Sequence, residues 1–201
     1  MDTNEVKAAI NAWTNIHHNG SAMVDKFYHK NSFAYTLPTA TAGSTHVHVY
    51  PGIDPQTGEL KFYVILSAYD KPSSGASVGG HVTECTAFYT VAGTHDRILT
   101  SEAHARVDRW IDNYQTWVPA RAATAYGVYQ AVSIPIQDFE THSVTIVLGL
   151  KLDPLETLGQ KADMIVVNTM PNRHVYYDDF VQPIPPYGLN ENPSDFYLLQ
   201  L

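Results

Sequence analysis

Apolar residues recur at helical spacing in some stretches of this chain and alternate with polar residues in others. Near the start, Val6, Ala9, Ile10, Trp13 and Ile16 fall on one helix face. Asp2 and Glu5 have the spacing of a capping box ahead of that face. Asn19-Gly20 supplies the glycine that a helix C-terminus favours. A second, shorter helix is expected next, with Val24, Phe27 and Tyr28 on its apolar side, and Pro38 closes the helical region. The strongest periodicity runs from Glu102 to Val118, where Ala103, Val107, Trp110, Ile111, Tyr114 and Val118 share a face. Ser101 is placed to cap it, and Pro119 disfavours helix at the residue before it.

Other apolar runs have the two-residue period of strands. THVHVY alternates, PGIDPQTGE carries the turn residues, and LKFYVILSAY completes a hairpin between Thr45 and Tyr69. This last segment is apolar on both faces, as in a strand covered on both sides, or covered on one side and facing an oligomer partner on the other. A Ser/Gly loop from Ser73 to Gly80 leads into VTECTAFYTV. GVYQAVSIPI, SVTIVLGLKL, ADMIVVNT and HVYYDDF then read as strands, and residues 182–201, with four prolines, should run extended over the surface. These elements predict one α+β domain over residues 1–201: a mainly antiparallel sheet packed by the helix at 102–118 and by the N-terminal helices. A similar order of elements occurs before residue 92 and after residue 99, which suggests two similar halves, 1–92 and 99–181.

Charge and composition narrow the function classes. Twelve basic against twenty acidic side chains give a net charge of −8, and the basic ones are scattered. Nucleic-acid binding is disfavoured, because that binding draws most of its affinity from neutralising phosphates. The first residues carry acidic and polar groups where a signal peptide would have a basic stretch and an apolar run. No apolar segment approaches the ~20 residues that span a bilayer, so the expectation is a cytoplasmic protein with no membrane partner. One cysteine, Cys85, rules out an internal disulfide and a paired-cysteine zinc site. Thirteen tyrosines suit half-buried sheets and contact surfaces alike.

Candidate chemistry is sparse. His46 and His48 form an H-x-H on a strand, so both imidazoles share a face, a start for a transition-metal site such as zinc. Further ligands would have to come from His81, Glu84, Cys85, His95 or Asp96. The alternative is a pair of surface histidines alternating with buried Val47 and Val49. Residues 75–79 satisfy G-x-S-x-G around Ser77, but β-rich sequence follows where a nucleophile elbow needs a helix. Asp178 and Asp179 are adjacent, and neighbours on a strand face opposite sides, which argues against a shared acid/base role. His17 and His18 suit the C-terminal end of a helix. Phosphate-binding motifs are absent from the sequence, and no cofactor is expected apart from the metal alternative.

Phe196, Tyr197, Leu198, Leu199 and Leu201 give the tail an apolar end that either docks on its own core or packs against a neighbouring copy. From residue 99 onward, LTSEAHARVDRWIDNYQ, SIPIQDF, the paired apolar strands and YYDDFVQPIPPYG resemble a group of small uncharacterised proteins of Bacteroidota. The resemblance covers about half the chain and implies a related fold without an activity. In that group the ending often carries cysteines around the proline run, whereas here Gln182, Ile184 and Gly188 stand beside Pro183, Pro185 and Pro186, so no metal or redox role tied to those cysteines is implied. The sequence thus points to a non-enzymatic, self-associating structural or interaction protein, whose partner is itself or another protein. The alternative is a metal-dependent enzyme or metal binder using His46 and His48.

Overall fold

The computed structural model describes residues 1–90, 98–172, 174–179, 181–185 and 192–201. Three α-helices stand out among them: α1 (Thr3–Ile16), α2 (Gly20–Phe27) and α3 (Thr100–Ala122). Nine strands accompany them: β1 (Ser32–Thr36), β2 (His46–Ile53), β3 (Leu60–Leu66), β4 (Thr83–Phe88), β5 (Ala131–Pro135), β6 (Ser143–Leu152), β7 (Gln160–Thr169), β8 (Val175–Asp178) and β9 (Gln182–Ile184). All pair antiparallel in one sheet, in the order β8-β7-β6-β1-β4-β3-β2-β5-β9. The α+β class is therefore as the hydrophobic pattern indicates. The strands of the first half form the contiguous centre, and those of the second half extend it on both flanks.

Between β1 and β4 the ladder is two residue pairs long, Ser32 with Phe88 and Phe33 with Ala87, and the sheet curls. Its inner face holds the main core: Val47 and Val49 of β2, Phe62 and Val64 of β3, Ile146 and Leu148 of β6. Trp13, Phe27 and Trp110 from the three helices close over it, with Phe27 edge-on to both tryptophans. The opposite face of the sheet is covered at two places. Ala103 and Val107 of α3 pack on Val147, Ile165 and Tyr177. Val6, Ala9 and Ile10 of α1 meet Tyr50, Tyr63 and Ile65, and the C-terminal Phe196 and Leu198 join them. β3 is thus covered by the chain on both faces, which accounts for its unbroken apolar sequence.

Two close approaches set the helices. At Gly149 on β6 an added Cβ would lie 3.2 Å from the Cβ of Arg106, so α3 rests directly on the strand. At Gly20 an added Cβ would lie 2.6 Å from the Pro119 Cα, so the start of α2 abuts α3 there. Arg106 is buried at the first contact and pairs with Asp163 at 2.9 Å, with Glu102 at 2.8 Å and with Asp179. Burial pushes the Asp163 carboxyl above its ordinary pKa despite Arg106. Burial also acts to raise Asp179, but hydrogen bonds from Arg106 and Lys151 outweigh it and hold that carboxyl below its ordinary value.

Several boundaries differ from the sequence expectation. α1 stops at Ile16, and Asn19 caps α2, its side-chain oxygen accepting from the Ala22 N–H at 3.2 Å. α3 runs past Val118 through Pro119 to Ala122, and Ser101 lies inside it, with Leu99 at the N-cap position. The proline removes one backbone donor without ending the helix, because Trp117, Val118 and Ala122 are held in the main core on either side of it. β1, with its alternating SFAYT, escaped the sequence reading. Residues 72–81 form 3₁₀ turns with a break at Gly75, where φ is 49°. The tail is not a simple extended run: β9 pairs with β5, and short 3₁₀ turns follow at Pro193–Asp195 and Tyr197–Leu199. Among the described residues no helix is long and apolar enough to cross a membrane.

Candidate functional site

Strand alternation sends Val47 and Val49 into the main core and turns His48 and Tyr50 to the opposite face. Both are buried, His48 at 4% exposure, so His48 is not the surface residue that alternation alone allows. What covers it is the C-terminal tail: the Phe196 ring stacks on the imidazole with centroids 4.4 Å apart and an angle of 23°. Register places Ile65 of β3 on one side of His48 and Ser133 of β5 on the other.

Beneath this face lies Asp70, just beyond the end of β3 and with no exposed surface. Its Oδ2 accepts from His48 Nδ1 at 2.8 Å and from the Tyr50 hydroxyl, and its Oδ1 accepts from the Leu198 backbone N–H at 3.1 Å. A buried carboxylate with three donors is a satisfied group, whereas the same carboxylate without them would be costly. The network also fixes the ring. A proton on Nδ1 is needed to serve Asp70, which leaves Nε2 as the acceptor nitrogen of the neutral imidazole.

Nε2 has no partner among the described residues, and His48 lines a cavity of about 260 Å³. Thr45 just before β2, His46 and Ser133 from the strands, Ser67 and Lys71 from the segment after β3, and Asp195 and Phe196 from the tail complete its wall. Ser133 is 3% exposed, and its hydroxyl makes no hydrogen bond with the described residues. The Ser67 hydroxyl accepts from the His46 backbone N–H at 3.3 Å. Lys71 is exposed and has no ion-pair partner among the described residues. A fixed imidazole, a free hydroxyl, one ammonium and one carboxylate around a small cavity can bind a polar molecule and move a proton to or from it.

No protein-family model, curated protein or solved structure matches this chain.

The other candidate residues fall elsewhere. His46 shares the cavity with His48, its Nδ1 lying 2.9 Å from the Thr45 hydroxyl. Among the described residues no group of three or more His, Cys, Asp or Glu side chains could hold a metal ion. The expected additional ligands diverge: His81 stacks on Tyr69 at 3.9 Å, Glu84 pairs with Lys61, and Cys85 is buried in the main core. Burial first, and then the Glu84 charge, push the Cys85 thiol up to about 12. His95 and Asp96 lie outside the described residues. Ser77 is exposed and donates to the Ser74 carbonyl at 2.6 Å within the 3₁₀ turns, with no helix behind it. Asp178 accepts from Asn168 at 3.0 Å while Asp179 meets Arg106 and Lys151, so the two carboxylates serve different partners. His17 and His18 contact the carbonyls of Thr14 and Ala122, at the C-terminal ends of α1 and α3.

Phe196 and Leu198 are buried in the chain's own second core, and Tyr197, Leu199 and Leu201 are half-buried against it. Sequence reading missed Asp70 and Ser133. The available signal was a polar residue within the apolar run AVSIPI, and an acidic residue directly after the two-faced strand β3.

Proposed function

We propose that this chain binds a small polar molecule in the cavity beside His48 and exchanges a proton with it through Nε2. The observation that carries the reading is the 2.8 Å bond from His48 Nδ1 to the fully buried Asp70, which orients the ring of a residue that lines the cavity and leaves its Nε2 without a partner among the described residues. The hydroxyls of Ser67 and Ser133 add neutral polar contacts, and Lys71 and Asp195 balance each other in charge. Self-association through the tail has less support, because its two largest contributors, Phe196 and Leu198, are already packed within the chain.

The test is a nuclear magnetic resonance titration of the full chain with acetate, methyl acetate, acetamide, glycerol and inorganic phosphate at millimolar concentration. The expected result is a saturable shift of the His48 Cε1–H and Ser133 amide signals with at least one compound, while the His29 signal stays in place. If none of the compounds moves His48, or if all histidines move together, the reading is wrong.

A further inference from the structure

We infer that Ser133 is a nucleophile served by His48, making the cavity an acyl-transfer site for small uncharged esters. The inference rests on the reading of His48 as a proton acceptor and goes beyond it by naming the attacking atom and the substrate class. On β5, Val132 and Ile134 point into the main core, so Ser133 points to the other face with Ala131. The β2–β5 register sets Ser133 directly opposite His48. Directly opposed residues of an antiparallel pair share a face, with Cβ atoms about 4.5–5.5 Å apart. The Ser133 hydroxyl and the His48 imidazole, with neither Oγ nor Nε2 partnered among the described residues, therefore stand on adjacent strands on the same face of the sheet and line the same cavity. Asp70 behind the imidazole supplies the third member of a nucleophile, base and orienting-carboxylate set.

Oγ and Nε2 are not hydrogen-bonded to each other in this structure. Rotation about the single Ser133 Cα–Cβ bond changes their separation, and such contacts commonly tighten only when substrate binds. The chemistry closes without a further reactant except water. Oγ attacks the ester carbonyl carbon as its proton passes to Nε2. The tetrahedral anion collapses, the carbonyl carbon to alkoxy oxygen bond breaks, and the departing alcohol takes the proton from Nε2. Water then attacks the acyl-serine, giving one proton to Nε2, and Ser133 recovers that proton as the carboxylic acid leaves. Lys71 is a cation lining the cavity that can meet the transient negative charge, and Asp195 on the same wall disfavours substrates already anionic. A cavity of about 260 Å³ limits the ester to a short acyl group and a small alcohol.

The experiment exposes the full chain to a fluorophosphonate probe and maps the adduct by mass spectrometry, then follows p-nitrophenyl acetate hydrolysis for the wild type and Ser133→Ala. The expected result is a single adduct on the peptide containing Ser133, with hydrolysis falling about a hundredfold or more in Ser133→Ala. The circular dichroism and melting temperature of that variant should match the wild type, since the substitution removes an unpartnered hydroxyl. No adduct, an adduct on Ser77 or another residue, or equal hydrolysis by Ser133→Ala would overturn the assignment. If the small-molecule titration still moves His48, only the acyl-transfer assignment falls; if it does not, the proton-exchange reading falls with it.

Discussion

Replacing Asp70 with alanine should destabilise the protein by about 3–9 kcal/mol, because three buried donors lose this acceptor at once and each lost bond costs ~1–3 kcal/mol. Those donors come from three places in the chain: His48 and Tyr50 on β2, and the Leu198 N–H in the tail. Destabilisation should therefore be accompanied by release of the tail. Hydrogen exchange at residues 196–199 should accelerate, and the Phe196 ring should leave the imidazole on which it stacks. Asp70→Asn keeps an acceptor oxygen and should lose less. Denaturant unfolding of both variants, with hydrogen exchange on the tail, measures these effects. An alanine variant within about 1 kcal/mol of the wild type, with the tail still protected, would show that Asp70 does not hold the site together.

Arg106→Ala is expected to cost about 3–5 kcal/mol near neutral pH, the usual penalty for leaving a buried charge without its partner. Asp163 is almost wholly buried and pairs with this guanidinium, and Asp179, which Lys151 also meets, loses its Arg106 partner where α3 meets the sheet. The wild-type pH dependence has two opposing parts. Asp179, depressed in the folded state, contributes stability above its ordinary pKa of 3.8 and loses it as the pH falls through the folded value. Asp163, raised in the folded state, does the reverse: its contribution is greatest in acid and fades as the pH rises through its folded value. Without Arg106 both carboxyls move up, so the gap between variant and wild type should narrow as the pH is lowered and the acids protonate. Unfolding midpoints at neutral and acidic pH would show this. A gap that is constant with pH would mean that the lost interaction is packing against Gly149, not charge.

Period-two alternation was enough to put Val47 and Val49 of β2 on its core side, because that face of the strand lies in the main core, while β6 and β7 were legible as strands without their faces. The 3.6-residue period identified α1 and most of α3 for the same reason. What local pattern could not show is which strands become neighbours. β5 lies beside β2 only through a pairing between the two halves of the chain, and that pairing brings Ser133 to His48. Asp70 reaches the same place from the far end of a hairpin, and the tail returns over both. The G-x-S-x-G around Ser77 drew notice because its pattern is local, although its serine sits exposed in a 3₁₀ turn. The tail shows the opposite limit. Its apolar residues correctly signalled a buried contact, but composition could not distinguish the chain's own sheet from another copy as the surface that receives Phe196 and Leu198. Pro119 marks a stop in the sequence pattern, and packing of the residues around it in the core carries the helix four residues beyond Val118.

The arrangement of His48 is the centre of this account, and its tautomer can be measured directly. Long-range proton–nitrogen correlation of the neutral imidazole should show the proton on Nδ1, bound to Asp70, with Nε2 bare and able to accept from a ligand or from Ser133. A proton resident on Nε2, or rapid averaging between the two nitrogens, would contradict it.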